Sequence, residues 1–330
     1  MDSLFTLGLQ IIVWFQSLAA WLTPVMKLFT FLGSTEFYLL VAPAVLWCVD
    51  SVLGVRLGLF LMINGSVNAA LKVAFHGPRP YWYSGDVKAL GSPESTFGAP
   101  SGHSQNAVVV WGTLADRIKS PAAWIIAIII IFMIGISRVY LAAHFPHDVL
   151  LGWLFGIIML WILLRFERPV VNWIKQFSVS LQLFLIFLFS LFLILLVVIA
   201  QLTIRGWSFP LIWVANAHIA FPAEPPINPL SYTDIISSTG AFFGLAGGWI
   251  WISRLGGFSI RDSWYKLIGR YILGVLGVLI LYLGLKSLLP QTDTLIAYVL
   301  GYIQFALIGF WMSGFAPWLF VKLKLATHLK

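Results

Sequence analysis

The run LQLFLIFLFSLFLILLVVIAQL, Leu181–Leu202, contains no charged residue. A helix needs about 20 consecutive apolar residues to cross a hydrocarbon core, so this run is long enough for one crossing. The chain around it repeats the pattern. Of its 330 residues, 60% are hydrophobic, 16% aromatic and only 10% charged, whereas a soluble domain carries roughly a quarter charged residues. Unusually apolar core helices in a soluble protein do not account for so many long runs. The expected fold is all-α, a polytopic transmembrane bundle. Spans are expected near residues 6–27, 35–50, 53–75, 103–117, 121–142, 147–165, 178–202, 233–253, 267–288 and 295–320.

The net charge of +8 reflects loop asymmetry before it reflects any nucleic-acid partner. On the ten-span layout, one side carries Arg56, Arg117, Lys119, Arg165, Arg168, Lys175, Arg254, Arg261, Lys266 and Arg270. The C-terminal Lys322, Lys324 and Lys330 add to it. The other side has little beyond Lys27, Lys88, Arg205 and Lys286, motif residues aside. The positive-inside rule therefore places both termini in the cytoplasm and the segments 76–102 and 143–147 outside, as in a multi-pass plasma or inner membrane protein. The N-terminus has no basic stretch before its apolar part and does not resemble a cleaved signal. The sole cysteine, Cys48, excludes an intramolecular disulfide and a cysteine-based metal cluster. The C-terminal lysines and His328 read as a solvated tail.

Two features have ordinary structural readings. GAFFGLAGG sets Gly240, Gly244 and Gly248 one turn apart, a small-residue face for close helix packing. The proline- and aromatic-rich segment between the seventh and eighth spans reads as interfacial, with His218 a satisfied polar residue. The fourth expected span is short and polar at its start, which places it inside the bundle.

Ionisable groups at membrane depth cost about 2.5–3.5 kcal/mol each on insertion scales, so three clusters require explanation. In NAALKVAFHGPRP, Lys72 ends a span and Arg79 follows it. Gly77-Pro78 breaks the helix and allows the two cations to converge; taken alone, Lys72 is an interfacial lysine. In APSGHSQNAVVV, Ser101 or a neighbour caps the following helix. Such a helix start is an anion site, which Gly102 leaves open to close approach, or simply a capping turn that contains His103. In SRVYLAAHFPHD, Ser137–Asp148, Arg138 precedes two histidines, and Asp148 lies four residues after His144. A carboxylate at that spacing fixes a histidine's tautomer and raises its basicity. All three clusters fall on the outer face. Together they contain what is needed to hold a phosphate, attack it and protonate what leaves.

In order along the chain, KVAFHGPRP, PSGH and SRVYLAAHFPHD resemble the three signatures of the type 2 phosphatidic-acid phosphatase superfamily, and every fixed position is matched. The resemblance covers about residues 1–170, implying a six-span phosphatase core, with 171–330 as additional spans of unassigned role. Those extra spans make the whole similar to bacterial relatives of sphingosine-1-phosphate phosphatases. The resemblance implies that His144 is a nucleophile forming a phosphohistidine, oriented by Asp148, and that His103 is the general acid. Lys72, Arg79, Ser101, Gly102 and Arg138 would hold the phosphoryl oxygens, with no metal or other cofactor. Ser137 belongs to the signature without a clear individual role. His147 falls at a variable position and receives none. The implied activity is hydrolysis of a membrane lipid phosphomonoester, with no nucleic-acid or protein partner indicated. Isoprenoid (undecaprenyl) pyrophosphate phosphatases and lipid phosphotransferases would share the same site, because the motifs read the phosphate and not the tail. A lipid transporter or scramblase on this core is a reading of another class, against which stands the retention of both histidines and the aspartate. Tyr81, Trp82 and Tyr83 read as interfacial anchors, or as a wall of the headgroup pocket.

Overall fold

The computed structural model describes residues 2–18, 20–286 and 294–328. Among these the secondary structure is helical, without strands. In chain order the elements are α1 (Asp2–Leu18), α2 (Leu22–Phe31), α3 (Thr35–Ala44, continuing as a π-helical turn Val45–Val49), α4 (Ser51–Phe75) and the single turn α5 (Pro80–Tyr83). Then come α6 (Gly102–Ile118), α7 (Pro121–Tyr140), α8 (Pro146–Ile174), α9 (Val179–Thr203) and α10 (Leu211–Ala220). The series ends with α11 (Thr233–Arg254), α12 (Trp264–Lys286), α13 (Leu295–Phe310, continuing as a π-helical turn Trp311–Phe315) and α14 (Ala316–Lys322).

Among the described residues, seven helical segments are long and apolar enough to cross a membrane, or eight if the pair α1–α2 counts as one. The expected ten is therefore too many by that measure, for local reasons. The first expected span is two helices bent by 120°, with Pro24 in the first turn of α2, where a missing N–H costs nothing. The second, Thr35–Val49, is a short apolar helix containing Pro43. The fourth, α6, has 17 residues and stops where Lys119 adopts a left-handed conformation (φ 58°). It is extensively buried, as its polar start predicted. The expected end of the ninth span, 287–288, and Lys330 lie outside the described residues.

The chain divides into two compact units. One comprises Met1–Phe37, Val67–Leu164 and Leu196–Ser231, and it contains all three motif clusters. Its core gathers Ile12, Tyr81, Trp82, Phe97, Val139, Phe145 and Ala217. Tyr81 and Trp82 are thus buried rather than interfacial anchors, and Trp82 is fully so. α5 is too short to present them outward, and α10 packs over it, with Asn216 Nδ2 donating to Trp82 O at 3.0 Å. Within this unit α6 approaches α8 closely because Gly152 and Gly156 have no side chains. A Cβ on Gly152 would lie 2.6 Å from Ser101 O and one on Gly156 2.8 Å from Val108 Cβ. This is small-residue packing of the kind used between membrane helices.

The other unit comprises Tyr38–Ser66, Arg165–Leu195 and Tyr232–Lys330. Here the glycine face of α11 does pack closely, with Gly240 against Tyr302 O, Gly244 against Ala306 O and Gly248 against Ser313 Oγ. The two π-helical turns meet where Trp47 Nε1 donates to Met312 O at 2.8 Å. Arg270, expected in an exposed loop, is instead fully buried in α12. It donates to Leu325 O (2.7 Å), Ile260 O (3.3 Å) and Trp47 O (3.4 Å), and pairs with Asp262 at 3.2 Å. Those bonds, with Ser259 N donating to Thr327 O at 2.7 Å, dock the segment read as a solvated tail, and Ala326 is buried. Arg270→Met leaves several buried carbonyls without a donor and is expected to lower stability by about 3 kcal/mol, read from thermal unfolding in detergent. An unchanged midpoint would show the network to be dispensable.

Candidate active site

The first cluster is built by a helix end and a returning loop. Lys72 sits in the last turn of α4 and its Nζ donates to Phe97 O. The chain turns at His76, whose φ is 36°, and Gly98 N then donates to Gly77 O at 2.9 Å. Only a glycine fits at 98, since a Cβ there would meet Pro78 O at 2.5 Å and Asp148 Oδ2 at 3.1 Å. Arg79, just before α5, is wholly buried. Its Nε donates to Thr96 O at 2.7 Å, its Nη1 to Ala143 O at 3.0 Å and its Nη2 to Thr96 Oγ1 at 3.0 Å. A guanidinium held by so many acceptors is fixed before any ligand arrives.

The second cluster is the start of α6. Ser101 is its N-cap and accepts from Ser104 N at 3.4 Å and Ser104 Oγ at 3.0 Å. Ser101 N donates to Asp148 O at 2.9 Å, which ties this helix start to α8. The first N–H groups of any helix lack intrahelical partners and carry partial positive charge. Gly102 leaves them uncovered, with Asn68 Oδ1 3.1 Å and Lys72 Cε 3.9 Å from where its Cβ would be. His103 lies within electrostatic reach of Arg138, Glu94, Arg79 and Lys72.

The third cluster is the turn from α7 to α8. Arg138 lies in the last turn of α7, and its carbonyl accepts from Ala143 N (3.0 Å) and His144 N (3.2 Å). Its side chain is buried, with Nη1 donating to Thr30 Oγ1 at 2.6 Å. Ser137 Oγ donates to Ile134 O at 2.6 Å, a bond internal to α7. Asp148 Oδ2 accepts from Phe145 N at 2.9 Å and lies 3.5 Å from His144 Nδ1. Its other oxygen is 3.3 Å from His147 Nε2, so Asp148 contacts both histidines. Direction separates them. His144 Nε2 faces Arg79 Nη1 at 3.4 Å, deep inside, whereas His147 stacks on Phe145 with ring centroids 5.3 Å apart and is partly exposed. Burial first, then the charges of Arg79, Lys72, Arg138 and His103, hold the His144 imidazole well below the usual histidine range. Its ring is therefore neutral, and because Arg79 Nη1 can only donate, the contact places the lone pair on Nε2.

Three residues of this site do not stand out from the sequence: Thr30, Thr96 and Glu94. Glu94 Oε1 lies 2.6 Å from Arg138 Nη2, and its Oε2 3.2 Å from Arg79 Nη2. Burial opposes its ionisation, but the charges of Arg79 and Arg138, with His103 and Lys72, outweigh it and hold the carboxyl well below the usual carboxylate range. The sequence signal was slight: Glu94 is one of two acidic residues between His76 and Ser101. Beside Glu94 opens a pocket of about 190 Å³, whose lining includes Tyr81, Ala217, His218, Phe221 and Glu224. His218, read as a satisfied polar residue, is exposed at this pocket.

Buried cations, an open helix start and an imidazole beside a carboxylate are thus brought together among apolar helices, an arrangement suited to holding an anion. Residues 53–172 match the PAP2 superfamily, and residues 236–328 match the family described as PAP2 superfamily phosphatase, transmembrane extension. Phosphatidylglycerophosphatase B of Bacillus subtilis (strain 168) is 30% identical over 46% of this chain and 77% of its own length. Glucose-6-phosphatase catalytic subunit 1 of Haplochromis nubilus is 26% identical over 57% of this chain, a match that spans only 59% of that relative. Among solved structures, the transmembrane PAP2-type phosphatidylglycerolphosphate phosphatase from Bacillus subtilis aligns with a TM-score of 0.43 and 27% identity, covering 52% of this chain and 89% of that one. The chain belongs to the PAP2 superfamily.

Proposed function

We propose that this chain is an integral-membrane phosphatase that hydrolyses a lipid phosphomonoester through a phosphohistidine at His144, without a metal. The observation that carries the reading is the alignment Asp148–His144–Arg79: carboxylate behind Nδ1 at 3.5 Å, guanidinium beside Nε2 at 3.4 Å. A neutral Nε2 attacks phosphorus, and the P–O bond to the alcohol breaks. His103, protonated once the bound phosphate's negative charge offsets the cations around it, gives its proton to the departing alkoxide and then takes one from the water that releases phosphate from His144. Arg79, Arg138, Lys72 and the start of α6 at Ser101 and Gly102 hold the equatorial oxygens, where charge builds in the transition state. Asp148 balances the positive charge that His144 gains in the intermediate.

The lipid reading is supported by α10. Its Ala217 and His218 line the pocket beside Glu94, while Leu211, Ile212 and Ile219 on the same helix are exposed apolar residues suited to a bilayer interface. The polar groups of that pocket, Glu94, His218 and Glu224, favour a second reading, a soluble polyhydroxy phosphate ester, in line with what the glucose-6-phosphatase relative's name states of that protein. With the shorter α3 and α6 also crossing, as in the ten-span layout, loop charge supports cytoplasmic termini and an outward-facing site.

Purified protein should release phosphate from a lipid phosphomonoester faster than from a soluble sugar phosphate, with EDTA present throughout. Loss of activity in EDTA would end the metal-free mechanism, and preference for the sugar ester would move the assignment to the second reading. With a membrane-impermeant ester, intact cells should show the activity without permeabilisation. Activity seen only in inverted vesicles would reverse the orientation.

A further inference from the structure

We propose that Glu94 is a charge filter on the phosphate clamp, admitting dianionic phosphomonoesters and turning away the monoanionic phosphodiester headgroups of the surrounding bilayer. The inference rests on the reading of Arg79 and Arg138 as that clamp. The Glu94 carboxylate bridges both guanidinium groups, at 3.2 Å and 2.6 Å, where a phosphoryl group's oxygens would bind. Side-chain exposure is 1% for Arg79 and 4% for Arg138 but 24% for Glu94, so Glu94 is the most accessible of the three.

Each arginine also has a partner other than Glu94. Arg79 is held by Thr96 and Ala143, and Arg138 by Thr30. Glu94 itself is anchored by its backbone. Its N–H donates to Tyr81 Oη at 3.1 Å, and the Tyr81 hydroxyl donates to its carbonyl at 3.2 Å. A buried tyrosine thus keeps the backbone of Glu94 beside the clamp, next to the pocket that Glu94 also lines.

Charge exchange then sets the selectivity. A phosphodiester carries one negative charge, so replacing the carboxylate with it gains no net attraction. It must also compete with a tethered anion at high effective concentration. A phosphomonoester carries about −1.5 to −2 at pH 7, and the surplus charge favours the exchange. In a membrane where diester headgroups greatly outnumber monoesters, that difference keeps the clamp from being occupied by bulk lipid.

The test compares two inhibitors of phosphate release, dimethyl phosphate as monoanion and difluoromethylphosphonate, whose fluorines keep it a dianion at neutral pH. In the wild type the dianion should be much the stronger. In Glu94→Gln the inhibition constant of dimethyl phosphate should fall about 10-fold or more, and the ratio of the two constants should narrow. Tyr81→Phe retains the charge but loosens the backbone tie, and should shift the ratio the same way by a smaller factor. An unchanged ratio in Glu94→Gln, or both inhibitors weakened by a common factor, overturns the filter. If Glu94→Gln does not fold, an unchanged ratio in Tyr81→Phe overturns it. If the wild type releases no phosphate from any ester, the enzyme reading fails, and calorimetric titration of the same two ligands still decides the filter.

Discussion

His144→Ala is expected to lower phosphate release by a factor on the order of 10⁴ or more, the scale of losing a nucleophile, while His147→Ala stays within about threefold. The contrast is sharp because Asp148 contacts both rings, at 3.5 Å and 3.3 Å. Proximity to the carboxylate therefore does not choose between them. What chooses is the far side of each ring. His144 presents Nε2 to Arg79, whereas His147 lies in an aromatic sandwich with Phe145 and Phe5. On the proposed mechanism a nucleophile must point at phosphorus held by the cations, and of the two rings it is His144 that faces Arg79. The direct measurement is rapid acid-free quenching with a ³²P-labelled substrate. Label should remain on wild-type protein and on His147→Ala, and be absent from His144→Ala. Label on His144→Ala, or equal loss of turnover in both variants, would remove His144 from the mechanism.

The helices were legible because apolar length is a local property, and runs such as Leu181–Leu202 have no other use. Span number was less legible. A helix can be apolar enough yet too short, as Thr35–Val49 is, or be bent by 120°, as α1–α2 are. In the site, Lys72, Arg79, Ser101, Arg138, His144 and Asp148 stood out because charges and caps at membrane depth are rare. That they would meet at one place could not be seen in any one of the three segments. Glu94 was not legible, since a carboxylate in a polar loop is ordinary until two buried arginines are found beside it. Arg270 was misplaced for the opposite reason. Near a predicted helix end, a cation reads as solvent-facing, and its true partners are carbonyls distant in sequence: Leu325 and Trp47. The anchor reading of Tyr81 and Trp82 failed because aromatic residues suit a bilayer interface and a buried core equally well, whereas Tyr81 does line a pocket.

Gly152→Val is expected to lower kcat/KM by about 10²-fold or more although residue 152 touches no ligand. Asp148, Gly152 and Gly156 recur every four residues and share one face of α8. A Cβ at 152 would sit 2.6 Å from Ser101 O, 2.9 Å from Ser104 Cβ and 3.4 Å from Gln105 N. Two of those three atoms belong to backbone, which yields only by moving the start of α6 as a unit. That movement lengthens the bond from Ser101 N to Asp148 O, now 2.9 Å. The helix start that faces the phosphate then shifts away from the carboxylate that backs His144. A displacement near 1 Å suffices for the predicted loss, and overpacking of this kind costs about 1–3 kcal/mol of stability. Gly85→Ala is the matched control, since a Cβ there meets nothing within 4 Å, and its activity should equal wild type. Comparing kcat/KM with the unfolding midpoint separates a displaced site from an unfolded one: the folded fraction of Gly152→Val should itself turn over slowly. Full activity per folded molecule would mean that the close approach of α6 to α8 does not set the geometry of the site.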